Sequence, residues 1–327
     1  MLKFILRRLL QLIPLVIGIT LVSFATMQLA PGDYLTNLKS SNLQIKPETI
    51  DRLRIEFGLV EHPHFRDYAT MYGRWLWNAL HLNFGFSFTY KIPVFELIGQ
   101  RIYYTFLLSL WSSIFAWALA IPIGIYVATH RNSWMDRVLN FGAFAGISLP
   151  GFFVALLALK FAQTTGWFPV GGATSPGYDH LSQLGKIKDT AWHLVLPVFV
   201  LGISGVAGLM RQMRGNVIET LSENFVLAAR ARGLSERKVV WKHAVRNSIN
   251  PLITLFGYEL SGLLAGAALV ENVMAWPGLG RLLLESIQSQ DLYPAMGAFV
   301  MGAFLLILGN LVADVLLSLS DPRIKFS

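Results

Sequence analysis

Six apolar runs, each long enough to cross a bilayer, constrain this chain more than any other feature. They lie at 9–29, 105–129, 139–162, 192–210, 249–270 and 293–319. A spanning helix needs about 20 residues. In hydrocarbon a backbone group must find its hydrogen bond inside the protein, so runs of this length are helices. With 54% hydrophobic and 14% charged residues, the chain is far too apolar for a soluble protein of its length. The first run follows Lys3, Arg7 and Arg8 and so resembles a secretory leader. Its apolar stretch is too long for one, and Ala30-Pro31-Gly32-Asp33 reads as a helix end, which makes it a retained span. The expected fold is an all-α integral membrane protein with six transmembrane helices, a cytoplasmic helical hairpin and a small extracytoplasmic loop domain.

Net charge is +8, and its placement matters more than its size. With the N-terminus inside, the internal segments carry Lys3, Arg7, Arg8, Arg131, Arg137, Arg323 and Lys325, plus eight basic residues between Arg211 and Arg246. The external segments are longer and carry fewer. This positive-inside bias puts both termini in the cytoplasm. The basic excess is therefore a topology signal, and no basic-aromatic stripe points to nucleic acid. The expected organisation is a first span at 1–30, an external loop region at 31–104, a core at 105–319 and a cytoplasmic tail at 320–327. Within the core, a cytoplasmic hairpin occupies 211–248 and an outer re-entrant segment 272–291.

The hairpin is centred on 224–250 (NFVLAARARGLSERKVVWKHAVRNSIN), which reads as helix, break, helix. Gly233 is the natural left-handed stop, and Leu234 supplies the hydrophobic contact that follows such a stop. Ser235 caps the next helix, with Glu236 in its first turn. In the external loop, a helix opening at Pro47 recurs in Ile50, Leu53 and Phe57, and a second carries Tyr68, Tyr72, Trp75 and Leu76 on one side. This region is either a cap over a pathway or a connector resting at the interface.

Sites for chemistry are scarce. No phosphate loop, HExxH or GxSxG motif occurs, and the absence of cysteine leaves no disulfide framework or thiol ligand. His62 and His64 stand together without a further ligand, so no metal site is expected. Ionisable residues inside spans usually mark function. Glu259 falls near the middle of the fifth run and either lines a wet pathway, with Ser261 beside it, or pairs structurally. Lys160 lies near a span end and can snorkel, while Asp314 suits a structural pair with Arg211 or Arg214. Gly257, Ser261 and Ala265, and the pair Gly262 and Gly266, allow close helix approach, for internal packing or for a dimer. Trp276, Pro277, Gly278 and Gly280 interrupt any helix and form either an outer gate or a plain re-entrant turn.

These motifs together resemble the permease subunits of ABC importers. Residues 227–233 are similar to the E-A-A-x-x-x-G core of their cytoplasmic loop, with Leu227 at the glutamate position. The stretches 229–236 (ARARGLSE) and 243–248 (HAVRNS) are similar to the peptide/nickel subfamily. So are 133–137 (SWMDR), 148–153 (SLPGFF), 276–281 (WPGLGR) and 321–324 (DPRI). The opening LRRLLQLIPLVIGITLVSF, with a long external loop after it, resembles the B-type subunit of oligopeptide and dipeptide importers. The resemblance implies a membrane channel shared with a C-type permease, two cytoplasmic ATPase subunits and an external substrate-binding protein. ATP and Mg would sit on the ATPases, and this chain would hold no cofactor and no catalytic residue. The ATPase-coupling residues would be Phe225, Ala228, Ala229, Arg230, Arg232, Gly233, Leu234, Ser235 and Glu236. Small side chains at Ala228, Ala229 and Ala231 would let a partner approach, with Phe225 as an apolar anchor. Peptides lead as cargo, with nickel chelates and oligosaccharides as family alternatives. A secondary transporter would show inverted repeats, and an intramembrane enzyme a nucleophile-base pair or metal set; the sequence offers neither.

Overall fold

The computed structural model describes residues 13–14, 16–25, 65–252 and 268–320, with 65 and 312–320 described as backbone only. The described residues are mostly helical and contain no strand; their single β feature is an isolated bridge between Phe86 and Pro93. Among the described residues, three helices are long and apolar enough to span: Val94–Thr129, Gln183–Leu221 and Leu292–Leu311 within Leu292–Ser320. Val16–Ala25 is a shorter apolar helix in the first expected span. The fifth expected span, with Glu259, Ser261 and its small-residue face, lies almost wholly outside the described residues.

Two expectations are corrected. The third span, expected to be continuous over 139–162, is broken into Trp134–Ser148 and Gly151–Thr165, which bend by 102°. Pro150 is the cause: the residue before a proline is driven out of the α region, and Leu149 is extended at φ −84° and ψ 126°. The second and fourth spans are also longer than their apolar cores. Val94–Thr129 has 36 residues and Gln183–Leu221 has 39. At about 1.5 Å per residue, both exceed a hydrocarbon core of about 30 Å. Residues 95–103 belong to the same helix as the second span.

The described residues fall into two compact units, one holding 105–252, 268–277 and 305–320, the other 13–14, 16–25, 65–104 and 278–304. In the first unit the two long helices meet where glycine permits it. A Cβ on Gly202 would lie 2.6 Å from the Phe115 ring and 3.2 Å from the Ser112 carbonyl oxygen. One on Gly124 would lie 2.8 Å from the Met213 Cβ. Backbones this close gain dispersion contacts that lipid cannot supply. The surrounding core includes Ala120, Leu209, Met213, Val217 and Leu252.

An ion pair fastens the first half of the broken span. Arg214 donates from Nε to Asp136 Oδ1 at 3.0 Å and from Nη2 to Oδ2 at 3.1 Å. Asp136 also accepts from the Asn132 amide, and Ser133 caps the helix by accepting from the Asp136 amide. Arg211, the other expected partner of Asp314, sits with its guanidinium carbon 4.9 Å from the Phe144 ring centre. The Asp314 side chain lies outside the described residues.

In the second unit, helix Phe65–Leu80 meets the first apolar helix through Tyr72, whose hydroxyl is 2.9 Å from Thr20 Oγ1 and whose ring faces Phe24. The turn at 87–91 is bound to the region around helix Leu279–Gln288. Asp291 Oδ2 accepts from Ser87 Oγ at 2.8 Å and from the Thr89 amide at 2.9 Å. The Tyr90 hydroxyl donates to Glu285, which also accepts from Arg281 at 2.7 Å. Burial, then the bond to Glu285, pushes the Tyr90 phenol up to about 12.

Candidate functional site

The basic hairpin begins where helix Gln183–Leu221 ends, and it is built by local sequence. Helix Asn224–Ala231 stops at Gly233, whose φ of +77° lies in the left-handed region. The Gly233 amide donates to the Arg230 carbonyl at 2.9 Å, and the Leu234 amide to the Ala229 carbonyl at 3.4 Å. This is the Schellman pattern, which satisfies carbonyls that a helix end leaves open. Leu234 then folds back onto a small core of Val226, Ala229 and Val239.

The second arm is Glu236–Lys238, a π-turn over Val239–Ala244, and Val245–Ser248. Ser235 occupies its N-cap position with extended backbone, but its hydroxyl accepts no capping bond from a backbone amide. Instead Glu236 reaches across the hairpin to Arg230, at 2.8 Å from Nε and 3.3 Å from Nη2. Exposed pairs of this kind contribute about 0–1 kcal/mol and mainly fix geometry. The π-turn inserts one extra residue per turn, a local irregularity that recurs at functional sites.

The arm returns to the long helix through Ser248. Its hydroxyl lies 2.9 Å from Thr220 Oγ1 and 2.8 Å from the Ala244 carbonyl oxygen, and Asn216 Nδ2 donates to its carbonyl at 3.1 Å. Both arms are thus fixed to the end of one long helix. An apolar cavity of about 800 Å³ lies beside the second arm, with Trp241 and Val240 on one side and Tyr126 and Met135 among the lining on the other.

The exposed surface of the first arm differs from expectation at one position. Phe225, Leu227, Ala228, Ala231 and Arg232 face outward, whereas Ala229 is 6% exposed and belongs to the hairpin's own core. Its methyl group packs against Val226 and Val239 and is not presented to a partner. Leu227, at 50% exposure, is a second exposed apolar side chain beside Phe225, at a position where the sequence departs from the family motif.

Of the remaining expected residues, Glu259 and Ser261 lie outside the described residues, as do His62 and His64. Among the described residues, no cluster of three His, Asp or Glu side chains could hold a metal ion. Trp276 is fully buried and its amide donates to the Glu271 carbonyl at 2.8 Å. The preceding turn is closed by the Gly172 amide, which donates to the Met274 carbonyl at 2.9 Å. A Cβ on Gly171 would lie 2.8 Å from that same oxygen. Trp276 is therefore an anchored residue; Pro277 is half-buried. Gly278, buried, is the N-cap of Leu279–Gln288, and half-buried Gly280 lies in its first turn.

Sequence reasoning missed Glu271. It is fully buried and its Oε1 accepts from Thr105 Oγ1 at 2.8 Å. Its position at the edge of the fifth apolar run made it look like an ordinary span terminus. An acid followed after five residues by an unbroken Trp-Pro-Gly was the available signal.

Comparison with known proteins decides the family. Residues 120–326 match the family described as binding-protein-dependent transport system inner membrane component. The chain belongs to this family. As a binding-protein-dependent permease it is also similar along its whole length to curated relatives. It is 37% identical to the oligopeptide transport system permease protein AppB of Bacillus subtilis (strain 168), covering 100% of both chains. It is 35% identical to a putative peptide transport system permease protein of Brucella abortus (strain 2308), covering 98% of both. Identity to the dipeptide transport system permease protein DppB of Escherichia coli (strain K12) is 34%, covering 99% of both. The permease is a transport subunit and a membrane protein.

Proposed function

We propose that this permease is the B-type subunit of an ATP-driven importer of dipeptides and oligopeptides. Full-length similarity to peptide permeases supports the cargo, and the hairpin supports the mechanism. The single observation that carries the reading is the rigid join between hairpin and long helix: a Schellman stop, a private core and the Ser248 bonds make 224–248 a fixed extension of Gln183–Leu221. A force applied to Phe225, Leu227 or Ala228 is then transmitted to a membrane helix without being absorbed by a loose loop.

In this reading six spans cross the membrane with both termini in the cytoplasm and 31–104 outside. A C-type permease completes the pathway, two ATPases bind ATP and Mg and grip the hairpin, and an external binding protein delivers the peptide. Closure of the ATPases pushes the hairpin and opens the pathway. Glu259 and Ser261 line that pathway. Trp276, Pro277, Gly278 and Gly280 hold the outer mouth as a fixed rim.

Co-purification tests the assembly. Tagged permease expressed with its neighbouring genes should retain two ATPase subunits and a second permease, and vesicles containing the complex should take up a labelled dipeptide only with ATP and binding protein. Uptake by this chain alone, driven by an ion gradient, would contradict the proposal.

A further inference from the structure

The second compact unit contains a cavity of about 530 Å³, within the range of about 300–1,000 Å³ typical of small-molecule sites. Its walls are aromatic, with Phe24, Trp75, Phe86 and Tyr293 among the lining. The Tyr293 ring is held in place by the turn beside it: a Cβ on Gly85, at φ +94°, would lie 2.7 Å from that ring. The polar part of the lining is one-sided. Arg74, Asn78 and Asn83 are present, and no acid lines the cavity among the described residues. Asp291, next in sequence to lining residue Leu292, has its Oδ2 committed to Ser87 and Thr89.

Three donors are unspent. Arg74 has no ion pair among the described residues. Asn83 Oδ1 accepts from the Gly85 amide at 3.1 Å, which orients the side chain and leaves its Nδ2 available. Trp75 is only 6% exposed, yet its indole N–H has no acceptor among the described residues. Buried indoles ordinarily find one. A cation, an amide and an orphaned N–H around an aromatic cavity are the complement of a carboxylate attached to an apolar body.

We propose that this cavity is a receiving site for the C-terminal end of a short free peptide. Arg74 binds the carboxylate, Asn83 and Trp75 supply further hydrogen bonds, and the last side chain rests against the aromatic walls. The single cation suits a monoanion, and the planar guanidinium suits a carboxylate. The assignment rests on the peptide-cargo reading and on 31–104 facing outward.

The test uses the full chain in lipid nanodiscs with ¹⁵N-labelled tryptophan. The Trp75 indole resonance is identified by its loss in Trp75→Phe. The probes are N-acetyl-phenylalanyl-leucine and its C-terminal amide. The free acid should shift the Trp75 resonance saturably and bind about tenfold more tightly than the amide. Arg74→Gln, an exposed substitution that leaves the fold intact, should reduce the acid to the affinity of the amide. No saturable shift, or equal binding of acid and amide by the unaltered chain, overturns the proposal, as does discrimination that persists in Arg74→Gln. Uptake of the same peptide by the assembled importer separates the two readings. Uptake without a Trp75 response removes this site and leaves the cargo; a discriminating Trp75 response without uptake keeps the site and removes the cargo.

Discussion

Gly233 shows how much one residue determines. At φ +77° a β-branched side chain meets the local backbone, at a cost of about 1–2 kcal/mol, although open space surrounds the position. Gly233→Val should therefore loosen the hairpin by strain alone, while Gly233→Asn, which tolerates this region, should not. Trypsin cleavage at Arg230 and Arg232 in the purified chain measures it: faster for valine, near the unaltered rate for asparagine. Asp291 makes a second case. Burial raises its carboxyl above the usual 3.8, against the opposing bonds from Thr89 and Ser87, and Oδ1 has no partner among the described residues. The folded state then binds the proton more tightly than the unfolded state. Its contribution is fully present below 3.8 and is lost as pH rises through the raised folded value. Thermal melting in detergent should show stability falling over that window, and Asp291→Asn should flatten the fall. A slope unchanged in Asp291→Asn would assign it to another group.

At the scale of elements, the first arm of the hairpin has an inner and an outer face one residue apart. Ala229→Glu would force a charge into the contact with Val226 and Val239, costing about 3–5 kcal/mol if uncompensated, and should unfold the hairpin. Ala228→Glu points outward and should leave it folded. Circular dichroism and trypsin sensitivity of the two variants distinguish them. Arg214→Ala would strand the buried Asp136 carboxylate and should lower the melting temperature more than Arg211→Ala, whose partner is an aromatic ring. The hairpin's stop was legible because Gly233 and Leu234 act through neighbours in sequence. The inward turn of Ala229 was not, since it depends on Val239 arriving from the other arm. The break at Pro150 was hidden by apolar residues continuing on both sides, and hydropathy carries no record of backbone direction. Glu271 was hidden for a different reason: its partner Thr105 is 166 residues away.

For the whole molecule, the apolar runs and charge bias account for a helical membrane protein and propose its threading. Because the chain lacks cysteine, Ser41→Cys and Ser235→Cys can be labelled without background. An impermeant maleimide added to intact cells should reach position 41 and not position 235; labelling at 235 would invert the proposed topology. In the proposed mechanism the outer face of the hairpin receives the force of ATP hydrolysis. ATP turnover and dipeptide uptake, measured together in vesicles holding the complete importer, test it most directly with Ala228→Glu. The expected complex has a folded, inserted permease whose ATPases dock weakly or hydrolyse ATP without uptake. Wild-type uptake with ATPases bound normally would contradict it.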